Sequence, residues 1–125
     1  MKLLVRSLRF AVCAVALLCA APTASANNSA GEKAYQMHCS ACHSPMKNGI
    51  GPSHAGVFGR KASTQPGFDY SPGFAKANIT WNDKTLDEWL TYPDNVIPGQ
   101  KMGYYVSDAE ERKAIIAYLK SLGAK

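Results

Sequence analysis

The chain has 125 residues, of which 46% are hydrophobic and 18% charged, and its formal net charge is +5 at pH 7. This length suffices for one domain with a modest hydrophobic core, and no internal repeat indicates a second domain. The sequence contains no run of basic residues and no basic helix face, so it gives no support to nucleic-acid binding.

The first 26 residues have the composition of an export signal. Three basic residues precede Phe10–Ala21, an uncharged and almost wholly apolar run, and Ala24–Ala26 supplies small residues for cleavage. This order is that of a secretory signal peptide, and the apolar run is shorter than the roughly 20 residues of a transmembrane helix. An uncleaved membrane anchor is the alternative. A lipoprotein site at Cys19 is disfavoured by the bulky Leu18 before it.

Cleavage after Ala26 would leave residues 27–125 as the mature domain. Three of the 14 Lys and Arg residues lie in the signal, so the mature chain carries 11 against 9 Asp and Glu, a net charge of +2. The predicted location is the periplasm, with no stable membrane insertion after cleavage. Cys39 and Cys42 are the two cysteines that remain. Because unpaired thiols rarely persist in an oxidising compartment, this pair is expected to have a bonding partner.

The mature chain opens with a predicted helix and a long loop. Ser29–Glu32 has the S-x-x-E form of a capping box, which predicts a helix from about residue 30 into the first cysteine. Residues 44–67 are rich in Gly, Pro, Ser and Asn, and a loop of this length in a small domain is usually functional. Ser71 followed by Pro72 then predicts a short second helix that ends near Ala77.

Two further helices are predicted in the second half of the chain. Asn82 caps one in which apolar residues recur at helical spacing, and this helix ends before Pro93. Residues 96–105 are irregular. Ser107 begins a second S-x-x-E capping box, and the last helix ends at Gly123. No stretch alternates with a period of two for long, so the predicted class is all-α.

Cys39, Cys42 and His43 form a C-x-x-C-H motif. Two thiols one helical turn apart can each bond a vinyl group of one haem, and the next residue can place its imidazole on the iron. A zinc site would need a second pair of Cys or His ligands, and the mature chain has no further cysteine. A thioredoxin-like redox pair would need a βαβ context, which is absent from the sequence. The motif therefore predicts one covalent haem c per chain.

The residues alone leave the second axial ligand of the iron open. The candidates in the mature chain are its other Met and His residues, Met37, His38, Met46, His54 and Met102. Met37 and His38 lie in the helix that enters the motif, and Met46 follows the motif too closely to cross the haem plane. Met102 lies far downstream in a Pro-Gly loop and can reach the opposite face, although at such a separation a Met is more often a core residue than a ligand. Met ligation would raise the reduction potential relative to two histidines.

The pattern of these residues resembles class I cytochromes c, the mitochondrial-type proteins and related bacterial soluble cytochromes. The resemblance covers residues 30–122, and the matching stretches in chain order are Gly31, Tyr35, 39–43, 51–52, 57–61, 66–71, 79–81, 97–102 and 116–120. It implies a class I cytochrome c fold, in which four to five short helices wrap around one covalent haem and the first and last helices cross. Gly31 and Tyr35 are then expected to meet Ile115 and Tyr118 at that crossing.

The same resemblance implies roles around the haem. It makes Met102 the sixth ligand, and it makes Pro52 the residue whose carbonyl accepts the ring N–H of His43 and so fixes the imidazole. The remaining implied haem neighbours are Arg60, Tyr70, Trp81 and Trp89. The first three of these resemble partners of the haem propionates, which would be costly to bury without hydrogen-bond donors.

Four positions depart from the mitochondrial pattern. Phe74, Trp89 and Gln100 stand where mitochondrial members have an Asn, a Tyr and a Thr that hold an internal water beside the Met ligand. The loss of these groups is expected to dry or rearrange the pocket. His54 takes a position usually held by an apolar residue on the His43 side of the haem, and its ring is expected to point to solvent. A different orientation would allow it to make the potential pH-dependent.

The resemblance implies a soluble, monomeric single-electron carrier with His/Met-ligated low-spin iron, and not an enzyme. Its expected partners are redox proteins such as a quinol–cytochrome c reductase, a terminal oxidase or a periplasmic dehydrogenase. A peroxidase or gas sensor is the competing class and would need an open coordination position on the iron. A third alternative is the dedicated cytochrome subunit of a periplasmic dehydrogenase.

Overall fold

Five helices make up the regular structure of residues 24–123, which a computed structural model describes. They are α1 (Ala24–His38), α2 (Pro72–Ala75), α3 (Asp83–Thr91), α4 (Pro93–Val96) and α5 (Ala109–Ser121). Within this range the β-type pairing is a single bridge between Lys61 and Thr80. The all-α prediction is confirmed. Almost all of the predicted signal peptide lies outside the described residues, and no helix of residues 24–123 is long and apolar enough to cross a membrane.

The two terminal helices cross at close range, as the resemblance implies. A Cβ atom added at Gly31 of α1 would collide with the carbonyl oxygen of Ala114 and would lie 2.9 Å from the Cβ of Tyr118 in α5. Beside this contact the rings of Tyr35 and Tyr118 lie with their centroids 5.0 Å apart. Ile115 is completely buried there. Gly31 therefore allows an approach of the two backbones that a side chain would prevent.

Helix α3 packs beside α5 and carries the apolar face predicted for it. Asn82 caps α3 by accepting a hydrogen bond from the Thr85 amide, and the Thr85 hydroxyl accepts one from the Asn82 amide. The buried residues of α3 are Leu86, Trp89 and Leu90. Arg112 of α5 donates to Asp87 of α3 at 2.7 Å. The Arg112 side chain is 11% exposed and the Asp87 side chain 51%, so the ion pair is half-buried. This pair fixes α3 against the last helix.

Two helix starts differ from the predictions. Helix α1 begins at Ala24, so Ser29 lies inside it and the predicted capping box does not mark its start. The residues before Ser29 continue the helix and supply carbonyls for the amides that a cap would otherwise satisfy. Helix α5 is capped by Asp108, whose carboxylate accepts a 2.8 Å hydrogen bond from the Glu111 amide, and not by Ser107. Both residue types are good N-caps, so sequence reasoning erred here by one position.

The short helices show a further difference. Helix α2 ends at Ala75, earlier than the predicted Ala77, and the hydroxyl of its N-cap Ser71 makes no capping hydrogen bond. Helix α4, which follows Pro93, was not predicted. Four residues are too few to show a helical period, and Pro93 was interpreted only as the end of α3.

The predicted long loop contains no helix between α1 and residue 72. Asn48 holds it together, because its side chain accepts from the Ser53 amide and donates to the Pro66 carbonyl, each at 2.9 Å. The backbone amide of His54 also donates to the Ser44 carbonyl at 3.0 Å. These bonds close the loop over the end of α1, where the cysteine motif begins.

Candidate haem site

The cysteine motif continues α1 as an irregular helical turn. The amide of Cys39 donates to the Tyr35 carbonyl at 2.8 Å, and the amides of Cys42 and His43 both donate to the Cys39 carbonyl, at 3.1 and 2.9 Å. Both cysteines are free, Cys39 half-buried and Cys42 exposed. Burial first, and then the charge of Cys42, raises the pKa of Cys39 to about 12, so this thiol is neutral. The turn leaves two thiols available for the thioether bonds that the motif predicts.

The His43 ring is held in the tautomer that binds a metal. Its Nδ1 lies 2.9 Å from the Pro52 carbonyl oxygen, which can only accept, so Nδ1 carries the proton and Nε2 keeps its lone pair. Burial lowers the pKa of His43, which favours the neutral imidazole. A Cβ atom at Gly51 would overlap the ring and would lie 2.7 Å from Nε2. Only glycine therefore leaves space for the imidazole at this position.

His54 does not point to solvent, and that expectation is wrong. Its ring stacks on the His43 ring with centroids 4.1 Å apart and an interplanar angle of 18°. Its Nδ1 lies 3.1 Å from the hydroxyl of Tyr35 in α1. Burial, His43 and Arg60 together lower the pKa of His54 to about 3, so the ring is neutral near pH 7. The buried Tyr35 hydroxyl is the hydrogen-bond partner that this polar ring needs when it is buried.

Arg60, Tyr70 and Trp81 are brought together, as the resemblance implies for propionate partners. The Arg60 guanidinium donates to the carbonyls of Ser53 and Ala55 and to the side chain of Gln65. The backbone amide of Gln65 donates to the Tyr70 hydroxyl at 3.3 Å. Trp81 donates its amide to the Arg60 carbonyl at 3.0 Å. These bonds link Arg60 directly to Trp81 and, through Gln65, to Tyr70.

Two of the residues that depart from the mitochondrial pattern, Phe74 and Trp89, form an aromatic cluster with Trp81. The Phe74 ring lies 5.2 Å from Trp89 and 6.4 Å from Trp81, and the two Trp rings are 5.6 Å apart. Gln100 donates to Asp94 through Nε2 at 3.1 Å. Apolar rings therefore occupy the two positions at which the mitochondrial pattern has an Asn and a Tyr.

Two buried side-chain oxygens in the described part of the chain have no hydrogen-bond partner. They are Ser71 Oγ, next to Tyr70, and Gln100 Oε1, two residues before Met102. Orphaned buried polar groups are rare in folded proteins and call for a partner. A haem fits the Ser71 deficit and the donor set, because a propionate would accept from the Ser71 hydroxyl; the Gln100 oxygen is an acceptor and would gain no partner from it. Together with the two thiols and the Nε2 lone pair of His43, the Ser71 hydroxyl matches a haem c.

The segment that carries Met102 is fastened to the end of α1. His38 donates through Nε2 to the Glu111 carboxylate at 3.0 Å, and its Nδ1 is hydrogen-bonded to the Tyr104 hydroxyl at 2.8 Å. The Tyr104 amide donates to the Met102 carbonyl at 2.7 Å. We call this group, His38, Tyr104 and Glu111, the His38 clasp. It ties Met102 to the residue that immediately precedes Cys39.

The other candidate ligands are engaged elsewhere or face outward. Met37 is 70% exposed and Met46 is 86% exposed. His38 belongs to the clasp and His54 to the stack on His43. Met102 is partly buried and packs against the core. Within residues 24–123, no group of three or more His, Cys, Asp or Glu side chains could hold a metal ion.

Sequence reasoning missed three features of this site. The sequence predicts only a helix cap at Ser71, and no pattern in it indicates Gln65 or the His38 clasp. A Ser directly after Tyr70, in a stretch of the resemblance, was the available signal for the first. The clasp had none, because the bonds of His38 reach 66 and 73 residues along the chain.

Comparison with known proteins agrees with this geometry. The Cytochrome c family profile matches residues 29–123. Cytochrome c2 iso-2 of Magnetospirillum fulvum is 51% identical over 87 residues, which are 67% of this chain and 91% of that protein. Cytochrome c of Chlamydomonas reinhardtii is 41% identical over 98 residues, covering 75% and 88% of the two chains. The structure of cytochrome cH from Methylobacterium extorquens aligns with a TM-score of 0.71 at 42% identity, covering 75% of this chain and 97% of that one. The chain therefore belongs to the cytochrome c family, which binds one covalent haem c.

Proposed function

We propose that this monohaem c-type cytochrome carries single electrons with iron held by His43 and Met102. When bound, haem c supplies a one-electron couple between ferric and ferrous iron, and the protein tunes that couple rather than performing bond chemistry. The observation that carries the proposal is the state of the alternative ligands. Met37 and Met46 are exposed and His38 and His54 have other partners, which leaves Met102 for the second axial position.

The residues around the two ligands have separate tasks. Pro52 keeps the His43 proton on Nδ1, so that Nε2 stays available as a strong donor. The His38 clasp holds the Met102 segment against the end of α1. A filled coordination sphere of this kind favours electron transfer over peroxidase or gas-sensor activity, because either activity needs an open position on the iron.

The propionates would be held by donors of the long loop and of α2. Arg60 has five N–H donors. Its guanidinium donates to the backbone carbonyls of Ser53 and Ala55 and to the side-chain oxygen of Gln65. Ser71 adds a buried hydroxyl that has no other partner in the described part of the chain. Donors of this kind lower the cost of burying a carboxylate near the iron.

The proposed location is the periplasm, after removal of residues 1–26, with residues 27–125 as the mature monomer. Met37, Met46 and Ile50 near the motif are strongly exposed, which suits brief contacts with redox partners. The partner classes proposed are a quinol–cytochrome c reductase, a terminal oxidase or a periplasmic dehydrogenase. Copurification with a dehydrogenase at high salt would instead identify a dedicated subunit of that enzyme.

Absorption spectra of the holoprotein test the ligand assignment. Met102→Ala is expected to abolish the sulfur-to-iron charge-transfer band of the ferric form and to let the ferrous form bind carbon monoxide. Met46→Ala, an exposed Met close to the motif, is the matched control and should behave as the wild type. If Met102→Ala kept the band, the assignment would be wrong. Rapid and full carbon monoxide binding by the native ferrous protein would overturn the electron-carrier proposal itself.

A further inference from the structure

We propose that His54 is a positioning residue for the axial imidazole, which it clamps by stacking while Tyr35 anchors it to the helix crossing. The inference rests on the proposed function, because it assumes that His43 binds the haem iron. It concerns a histidine at a position where the resemblance expects an apolar residue. The effect of His54 on the axial imidazole would therefore distinguish this chain from family members that carry an apolar side chain at the same position.

The first step is that the contacts of the His43 ring with Pro52 and Gly51 still allow the ring to tilt. The Pro52 carbonyl fixes the position of Nδ1 at 2.9 Å, and the Gly51 backbone lies against the ring edge. A single hydrogen bond still lets a ring tilt about the axis through the bonded atom. His54 lies face to face with the ring at 4.1 Å and 18°, so it opposes that tilt.

The second step is that His54 is itself held in place. Its Nδ1 is hydrogen-bonded to the Tyr35 hydroxyl at 3.1 Å, and Tyr35 has no exposed surface. The backbone of His54 donates to Ser44 and accepts from Val57, at 3.0 and 3.1 Å. Arg60 binds the carbonyls of both chain neighbours of His54. The backbone that carries His54 is therefore fixed, and the ring cannot turn away without breaking its bond to Tyr35.

The third step links this clamp to the rest of the fold. The Tyr35 ring packs on Tyr118 at the α1–α5 crossing, with centroids 5.0 Å apart. A rigid path thus runs from the terminal helices through Tyr35 and His54 to His43. The plane of an axial imidazole determines which iron d orbitals meet its π electrons. Hydrogen bonding and orientation around an axial ligand are among the means by which a protein sets the properties of haem iron.

Four variants of the holoprotein test the inference. His54→Leu removes the stacked ring, and His54→Phe keeps a ring but removes its hydrogen bond. Tyr35→Phe removes the same bond from the other side. Tyr105→Phe, at a Tyr that is 63% exposed, is the matched control for loss of a hydroxyl. The measurements are the ferric EPR g-values and the hyperfine-shifted NMR resonances of the His43 ring, with the reduction potential alongside.

The clamp predicts that His54→Leu shifts both the g-values and the His43 resonances. His54→Phe and Tyr35→Phe should give smaller shifts that match one another, and combining Tyr35→Phe with His54→Leu should add nothing to His54→Leu alone. Tyr105→Phe should have no effect. Unchanged g-values and His43 resonances in a folded, low-spin His54→Leu protein would overturn the inference. If His54→Leu does not fold, unchanged spectra in His54→Phe and Tyr35→Phe would overturn it equally.

The wild-type spectrum separates this inference from the proposed function. A wild-type protein that lacks the sulfur-to-iron band contradicts the His43/Met102 assignment, whatever the His54 variants do. A wild-type protein with that band and variants with unaltered His43 signals contradicts only the clamp.

Discussion

Replacement of Gly31 by alanine tests how closely the terminal helices must approach. The added Cβ would collide with the Ala114 carbonyl oxygen and lie 2.9 Å from the Tyr118 Cβ. Carbon atoms in optimal contact are about 3.5–4.0 Å apart, so the helices would have to separate by at least about half an ångström. Neither partner atom is the end of a flexible side chain. The strain therefore cannot be relieved by a rotamer change and must move backbone.

Two opposing contributions set the expected magnitude. Alanine is favoured over glycine inside a helix by about 1 kcal/mol. Overpacking of a close contact costs about 1–3 kcal/mol, and the rigid partner atoms place this site near the upper end. We therefore expect Gly31→Ala to lower the free energy of unfolding by about 2 kcal/mol. The sign is opposite to that expected for the same substitution on an open helix face.

Guanidinium unfolding of the holoprotein, followed by far-UV circular dichroism, measures this change. Gly123→Ala is the control, because its Cβ would meet the nearest atom at an ordinary 3.5 Å, and it should change stability by less than about 0.5 kcal/mol. A Gly31→Ala protein as stable as the wild type, or more stable, would refute the close approach of α1 and α5.

Two further substitutions test contacts that hold the site. Arg112→Ala removes the bond to Asp87 and leaves the carbonyls of Val106 and Ser107 without their donor, so it should cost about 2 kcal/mol in the same assay. Lys113→Ala, at a side chain that is 79% exposed, should cost less than about 0.5 kcal/mol, and equal losses would contradict the role of Arg112. His38→Ala breaks the clasp and should raise imidazole binding to the ferric protein by about thirtyfold, since a net hydrogen bond contributes about 1 kcal/mol and two are lost. Met37→Ala, at the exposed neighbouring residue, is its control, and unchanged binding in His38→Ala would show that the clasp does not secure Met102.

Much of the fold follows from local sequence signals. The Asn82 cap, the apolar spacing in α3 and Gly123 after α5 each involve residues within a few positions of one another. The same locality explains the errors. Ser107 and Asp108 are both acceptable caps, and the four residues of α4 are too few to show a period. The resemblance, rather than periodicity, accounts for the predicted crossing of α1 and α5.

The sequence by itself determined the attachment chemistry, because two thiols and an imidazole at C-x-x-C-H spacing act within one turn of chain. It also determined the long loop, while the Gly that permits the helix crossing was implied by the resemblance. Only the tertiary structure decided where His54 points, because its partner Tyr35 is 19 residues away and becomes available only when the loop folds over α1. The unpartnered Ser71 hydroxyl and the His38 clasp were likewise decided there, since distant contacts determine whether a polar side chain is buried and what it binds. No local pattern carries that information.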